Sequence, residues 1–192
     1  MAAPRSVVVG LLIWLGFVIA FSAGGTLARL PFPSPQLIIL ALLAFAVIAA
    51  LLIEPVRSWV DSLSWRQLVG FHAVRLVGVV FVVLGARGSL APAFAARAGW
   101  GDIAAALIAI ALVLFAIAPE RARWLHNLWN AFGLADLIVA VGTAAAVVLQ
   151  GSVPGMGPLL NLPLSFVPLF FVPVLAASHI VLLRRINARR AA

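Results

Sequence analysis

Six apolar runs, at about residues 7–28, 36–54, 67–86, 101–118, 131–149 and 164–183, dominate the chain, each near the roughly 20 residues with which a helix crosses a hydrocarbon core. In lipid every backbone N–H and C=O must find a partner within the protein, which makes segments of this length helices. The expectation is an all-α polytopic membrane protein, a single transmembrane helical-bundle domain over residues 1–192 with six spanning helices. Composition agrees: 65% of residues are apolar and 9% charged, with a mean hydropathy of +1.21, against roughly 45–50% and 25% in soluble domains. Gly24-Gly25-Thr26 lies far into the first run, which therefore reads as a retained helix; a signal peptide cleaved after Ala23 is the alternative.

The 13 basic residues are all arginine. With a cytoplasmic N-terminus, Arg5, Arg57, Arg66, Arg121, Arg123, Arg184, Arg185, Arg189 and Arg190 fall inside, and Arg29, Arg87 and Arg97 outside. This bias predicts a bacterial inner-membrane protein with both termini in the cytoplasm. A net charge of +8 spread over helix ends suits anionic lipid headgroups, and nucleic acid is not an expected partner. Membrane lipids are expected partners, and so, at 20.2 kDa, is a second copy or another membrane subunit completing a permeation path.

The connections have their own chemistry. The three prolines of RLPFPSP, residues 29–35, make a rigid turn. PVRSWVDSLSWR at 55–66 and PERARWLHNLWN at 119–130 read as interfacial segments, with His126, Trp124 and Trp129 at headgroup level. PAFAARAGW lies on the surface before Asp102 caps the fourth helix on the outer side, braced by Arg97.

Cysteine is absent, which excludes disulfides, thiolate metal sites and iron–sulfur clusters. HExxH, GxGxxG, GxxxxGK and GxSxG are also missing, and Ser165 and Ser178 form no coherent dyad with His179. An enzyme is not the expected class.

The informative residues are those that interrupt the apolar runs. His72 and Arg75, three apart in FHAVRLVGVVF, share a helix face, and on the predicted topology Asp136 and His179 reach similar depth from other helices. Glu54 marks the cytoplasmic end of the second helix. A charge in lipid is costly, so Arg75 is expected to pair with Asp136, with Asn130 or a histidine filling the remaining hydrogen bonds. Two readings stay open. In one, the cluster locks the bundle or Arg75 snorkels to the headgroups. In the other, Arg75, Asp136, His179, His72 and Asn130 form a ligand site in a cavity open to the cytoplasm or inner leaflet, binding or passing a small anionic or amphipathic solute. A haem-binding electron carrier with His72 and His179 as axial ligands of haem b is a further alternative, and a noncatalytic scaffold or accessory subunit another. No metal site is expected, because a set of His72, His179 and Asp136 has no local spacing signature. In NLPLSFVPLFFVPV, Pro163 can start the sixth helix, whereas Pro168 and Pro173 remove internal hydrogen bonds and should kink it. The freed carbonyls either bind a ligand or are covered by Ser165, water or a neighbouring helix.

FHAVR, AGWGD, LWNAFGLAD and PLFFVPVLAASHIVLLRR together resemble an uncharacterised bacterial family of small multi-pass membrane proteins, over about residues 65–186. The resemblance marks Arg75, Asp102, Asn130, Pro168, Pro173, His179 and Arg184. It departs at His72, where the resemblance implies a neutral amide such as glutamine, and near residue 79, where some members carry an acid. It implies no reaction, and the departure at His72 weighs against a family-wide bis-histidine haem.

Overall fold

The computed structural model describes residues 3–188, so Arg189 and Arg190 of the arginine partition lie outside the described residues. The described chain is all-α, and six helical segments are long and apolar enough to cross a membrane: Arg5–Ala23, Ser34–Leu52, Trp65–Ala86, Pro92–Leu114, Arg123–Leu149 and Val167–Ala188. The chain forms two compact units, one comprising residues up to Leu63 with Met156–Ala177, the other Ser64–Gly155 with the chain from Ser178 on.

The first unit holds α1 (Arg5–Ala23), the one-turn α2 (Thr26–Arg29), α3 (Ser34–Leu52) and α4 (Glu54–Ser62), together with a 3-10 turn at Gly157–Leu160 and a π-helical turn at Val167–Phe171. Its core is Val18, Leu27 and Leu169, against which Trp14, Phe21, Ile38 and Phe166 pack. Elsewhere α1 and α3 turn large apolar side chains outward, Ile13 at 68% and Leu37 at 59% exposure among them. Such surface belongs in contact with lipid. Glu54 and Arg57 form an exposed ion pair at 2.8 Å on the short helix α4.

The prolines act where expected, and the outcome is specific. Pro173 has no N–H for the carbonyl of Leu169, four residues earlier, and the Trp14 indole N–H donates to that oxygen at 3.0 Å. Likewise Leu164, deprived of Pro168, accepts from the Val167 N–H at 3.0 Å. The Leu169 carbonyl is thus covered by α1 within the same unit, and the Ser165 hydroxyl, buried without a partner, does not do it.

The second unit holds α5 (Trp65–Phe71), a 3-10 stretch at His72–Val77, α6 (Gly78–Ala86), α7 (Pro92–Leu114), α8 (Arg123–Leu149) and, from Ser178, the rest of α9 (Val172–Ala188). Ser64 caps α5 through a capping box with Gln67, the Ser64 hydroxyl accepting from the Gln67 N–H at 3.2 Å. The buried face of α7 is built of small residues, Ala95, Ala98, Gly99, Ala105, Ala106 and Ala109, with Asp102 among them. Small residues let backbones approach, as they do here. A Cβ at Gly78 would meet the Asp102 Cβ at 2.9 Å, and one at Gly99 would meet the Gly78 carbonyl oxygen at 3.1 Å.

Two expectations are corrected in this unit. The fourth helix starts at Pro92, not near residue 101, because proline suits a first turn. PAFAARAGW is therefore helix, with Phe94, Ala95 and Ala98 buried. The fifth helix starts at Arg123, so 119–130 is not an interfacial segment as a whole. Trp124 stays exposed at 70%, but His126 and Trp129 are buried and hydrogen-bonded to carbonyls, the former to Ile117 at 2.7 Å and the latter to Ala105 at 3.0 Å.

Candidate functional site

The second unit has a polar interior, and each helix contributes to it through its spacing. In the 3-10 stretch, residues three apart eclipse one another, which stacks His72 directly in line with Arg75. On α8, Asn130, Gly133 and Asp136 recur every third residue and share the buried face. Asp102 sits in the small-residue stripe of α7, and Ser178 and His179 come from α9.

Arg75 is at the centre, 1% exposed. Its Nε–H donates to Asp102 Oδ1 at 2.7 Å, and its Nη2 group donates to Asp136 Oδ2. The Nη1 group donates to the Gly133 carbonyl at 3.1 Å and faces His179 Nε2 at 3.4 Å. Four of the roughly five guanidinium N–H directions are thereby used. Gly133 is required: a Cβ there would lie 2.7 Å from His179 Nε2 and 3.0 Å from Arg75 Nη1. A Cβ on Gly101 would run into the Asp136 carboxylate.

A second layer fixes the histidines. Asn130 Nδ2 donates to the His179 carbonyl at 3.1 Å, which leaves its Oδ1 to accept from His179 Nδ1. With Nδ1 as the donor, His179 Nε2 presents its lone pair to Arg75. His72 Nε2 shares a hydrogen bond with Ser178 Oγ at 3.2 Å, while its Nδ1 is buried with no partner. Trp129 packs on both imidazoles, with ring centroids 4.9 Å from His72 and 5.3 Å from His179.

The residues singled out in the sequence, Arg75, Asp136, His179, His72 and Asn130, are thus brought together in one buried network. The expected Arg75–Asp136 pair is present, and Arg75 does not snorkel. Asp102 is the principal correction. It caps no helix and does not bind Arg97; it lies within α7 and takes the Nε side of Arg75. A usable signal existed, since Asp102 and Asp136 are, apart from Glu54 at the end of the second run, the acids inside apolar runs, and Arg75 is the one arginine there. Trp129, Gly133 and Ser178 are further members that spacing alone did not mark.

Two other expectations change, the haem alternative and the open cavity. The His72 and His179 rings touch, with centroids 4.2 Å apart, the geometry of packed imidazoles and not of axial ligands separated by an iron and its porphyrin. Among the described residues, no three His, Asp or Glu side chains are grouped to hold a metal ion. His179 has no accessible surface and Arg75 almost none. The Arg75, Asp136 and His179 side chains therefore form a packed ionic core, not the wall of an open cavity.

A family model described as a domain of unknown function (DUF8737) matches residues 33–187, a span that includes every member of this core. No curated protein and no solved structure matches the chain.

Proposed function

We propose, for a chain that belongs to the family described as a domain of unknown function (DUF8737), that the Arg75 core binds, and on rearrangement of its helices passes, a small solute in exchange for a proton or together with one. The observation that carries this reading is one guanidinium held between two carboxylates, Asp102 from α7 and Asp136 from α8. With both acids ionised the trio has one negative charge in excess, and net charge at hydrocarbon depth is costly. The core is neutral when it holds one proton or one monovalent cation.

Occupancy and protonation are linked by the same count. An anionic or amphipathic solute reaches Arg75 by replacing one carboxylate. Two aspartates and the solute then face a single guanidinium, so each bound anion draws further protons into the core. A cationic solute does the opposite and releases the proton that balanced the surplus acid. Asn130 holds His179 Nε2 toward Arg75, and His72 lies in ring contact with His179, so the two imidazoles are the nearest groups for relaying that proton. Arg75 anchors the solute, Asp136 and Asp102 exchange with it, and His179, His72 and Asn130 adjust the hydrogen bonds. The arginine partition supports a bacterial inner-membrane location with cytoplasmic termini, and the protein acts there alone or with a partner subunit.

Calorimetric titration of the detergent-solubilised full chain with octanoate and with octylamine, in buffers of different ionisation enthalpy, tests the linkage. The expected result is uptake of at least about one proton per bound octanoate and release of about one per bound amine. In Asp136→Asn the core is neutral with no bound proton, so the release on amine binding should vanish while the uptake on octanoate binding persists through Asp102. Binding without buffer-dependent heat, or no binding of either amphiphile, would leave the network as a lock between helices.

A further inference from the structure

At one end of the second unit is a cavity of about 430 Å³ that the ionic core does not use. It lies where the third span begins at Trp65, the fifth begins at Arg123 and the sixth nears its end at Ala188, which is a membrane edge. Its wall is divided by chemistry. Arg123 and Arg185, both half-buried, supply positive charge, and the exposed Glu120 is the carboxylate of the lining. Leu182, Ile186 and the half-buried Trp65 supply an apolar side.

We propose that this cavity is a binding site for an anionic phospholipid, with the phosphate between Arg123 and Arg185 and the start of an acyl chain along Leu182, Ile186 and Trp65. The volume is within the range of small-molecule sites, roughly 300–1,000 Å³. Guanidinium groups suit phosphate because they offer paired N–H donors in a plane. Basic pockets between spanning helices at a membrane edge take phospholipid headgroups for this reason. A free phosphate would need only the arginines, whereas a phospholipid also accounts for the apolar wall and for its opening at the level of the headgroups. By the arginine partition the leaflet is the cytoplasmic one, where anionic lipids concentrate. The site is separate from the Arg75 core and stands or falls without it.

The test uses the full chain in phosphatidylcholine nanodiscs titrated with a phosphatidic acid fluorescent on its tail. Saturable binding is expected, weakened about tenfold or more in Arg123→Gln/Arg185→Gln and strengthened in Glu120→Gln. Arg57→Gln, at a residue outside the cavity lining, should leave it unchanged. Equal affinity in wild type and the folded double variant would overturn the site. If the double variant fails to fold, Glu120→Gln decides: stronger binding supports the site and unchanged binding overturns it. Full displacement by millimolar inorganic phosphate would make this a site for free phosphate and overturn the phospholipid assignment.

Discussion

The two compact units handle polar groups at hydrocarbon depth in opposite ways. In the first, the vulnerable group is a backbone carbonyl, Leu169, left without a donor by Pro173, and one indole N–H from Trp14 satisfies it at 3.0 Å. The surroundings are aromatic and aliphatic, and most of α1 and α3 faces outward. In the second, the polar groups are formal charges, and Arg75 spends nearly all its donors on two carboxylates, a carbonyl and an imidazole. Its helices approach through glycine and alanine to make that possible. A local repair can fail without consequences elsewhere, whereas a charge network ties three or four helices to one another's occupancy.

The sharpest break of this contrast is Arg75→Gln, which leaves two acids without their cation. Removing one partner of a buried ion pair costs about 3–5 kcal/mol, so the variant should unfold far earlier in mixed micelles on SDS titration. The triple variant Arg75→Gln/Asp102→Asn/Asp136→Asn removes the charges together and should recover much of that loss. If the single substitution costs no more than the triple, the three groups are not coupled.

Next in size is Gly133→Ala. The added methyl must displace His179 or Arg75, and overpacking of this kind costs about 1–3 kcal/mol in the same titration. Gly10→Ala on α1 has nothing within 4 Å of the new atom and should change stability by about 0.5 kcal/mol or less. Equal effects at the two positions would contradict the difference between the units.

The smallest loss expected from removing an observed interaction is at the first unit's hydrogen bond. Trp14→Phe should cost about 0.5–1.5 kcal/mol for the lost bond, with some further loss of packing. Pro173→Ala restores an N–H four residues after Leu169, so the same Trp14→Phe substitution should cost less in that background. A double-mutant cycle without coupling would show that Trp14 is there for packing alone.

The six spans were legible because hydropathy measures what the bilayer demands of a segment. It reports less about where a helix begins, which is why α7 starts at Pro92 and α8 at Arg123, both ahead of their most apolar parts. Arg97 and Arg123 lower the hydropathy without interrupting a helix. The Arg75–Asp136 pair followed from depth and the cost of an isolated charge. Asp102 was missed because Gly-Trp-Gly-Asp resembles a helix start, and local capping chemistry gave no hint that the helix was already ten residues long. The contact between His72 and His179 depends on tertiary packing alone. So does Trp129, whose residue type suits a headgroup belt as well as an interior.

The 3-10 stretch also has a geometric consequence. Against an α-helix of equal length, six residues at about 2.0 Å and 120° each, in place of 1.5 Å and 100°, advance the chain roughly 3 Å farther and turn it about a third of a revolution more. That extra winding sets the phase of everything after Val77. Gly78 meets α7 at Gly99 because the stretch has rotated it there, and in a uniform α-helix the same glycine would face a different direction. The segment that presents Arg75 to its acids therefore also sets the angular register in which the rest of the third span docks.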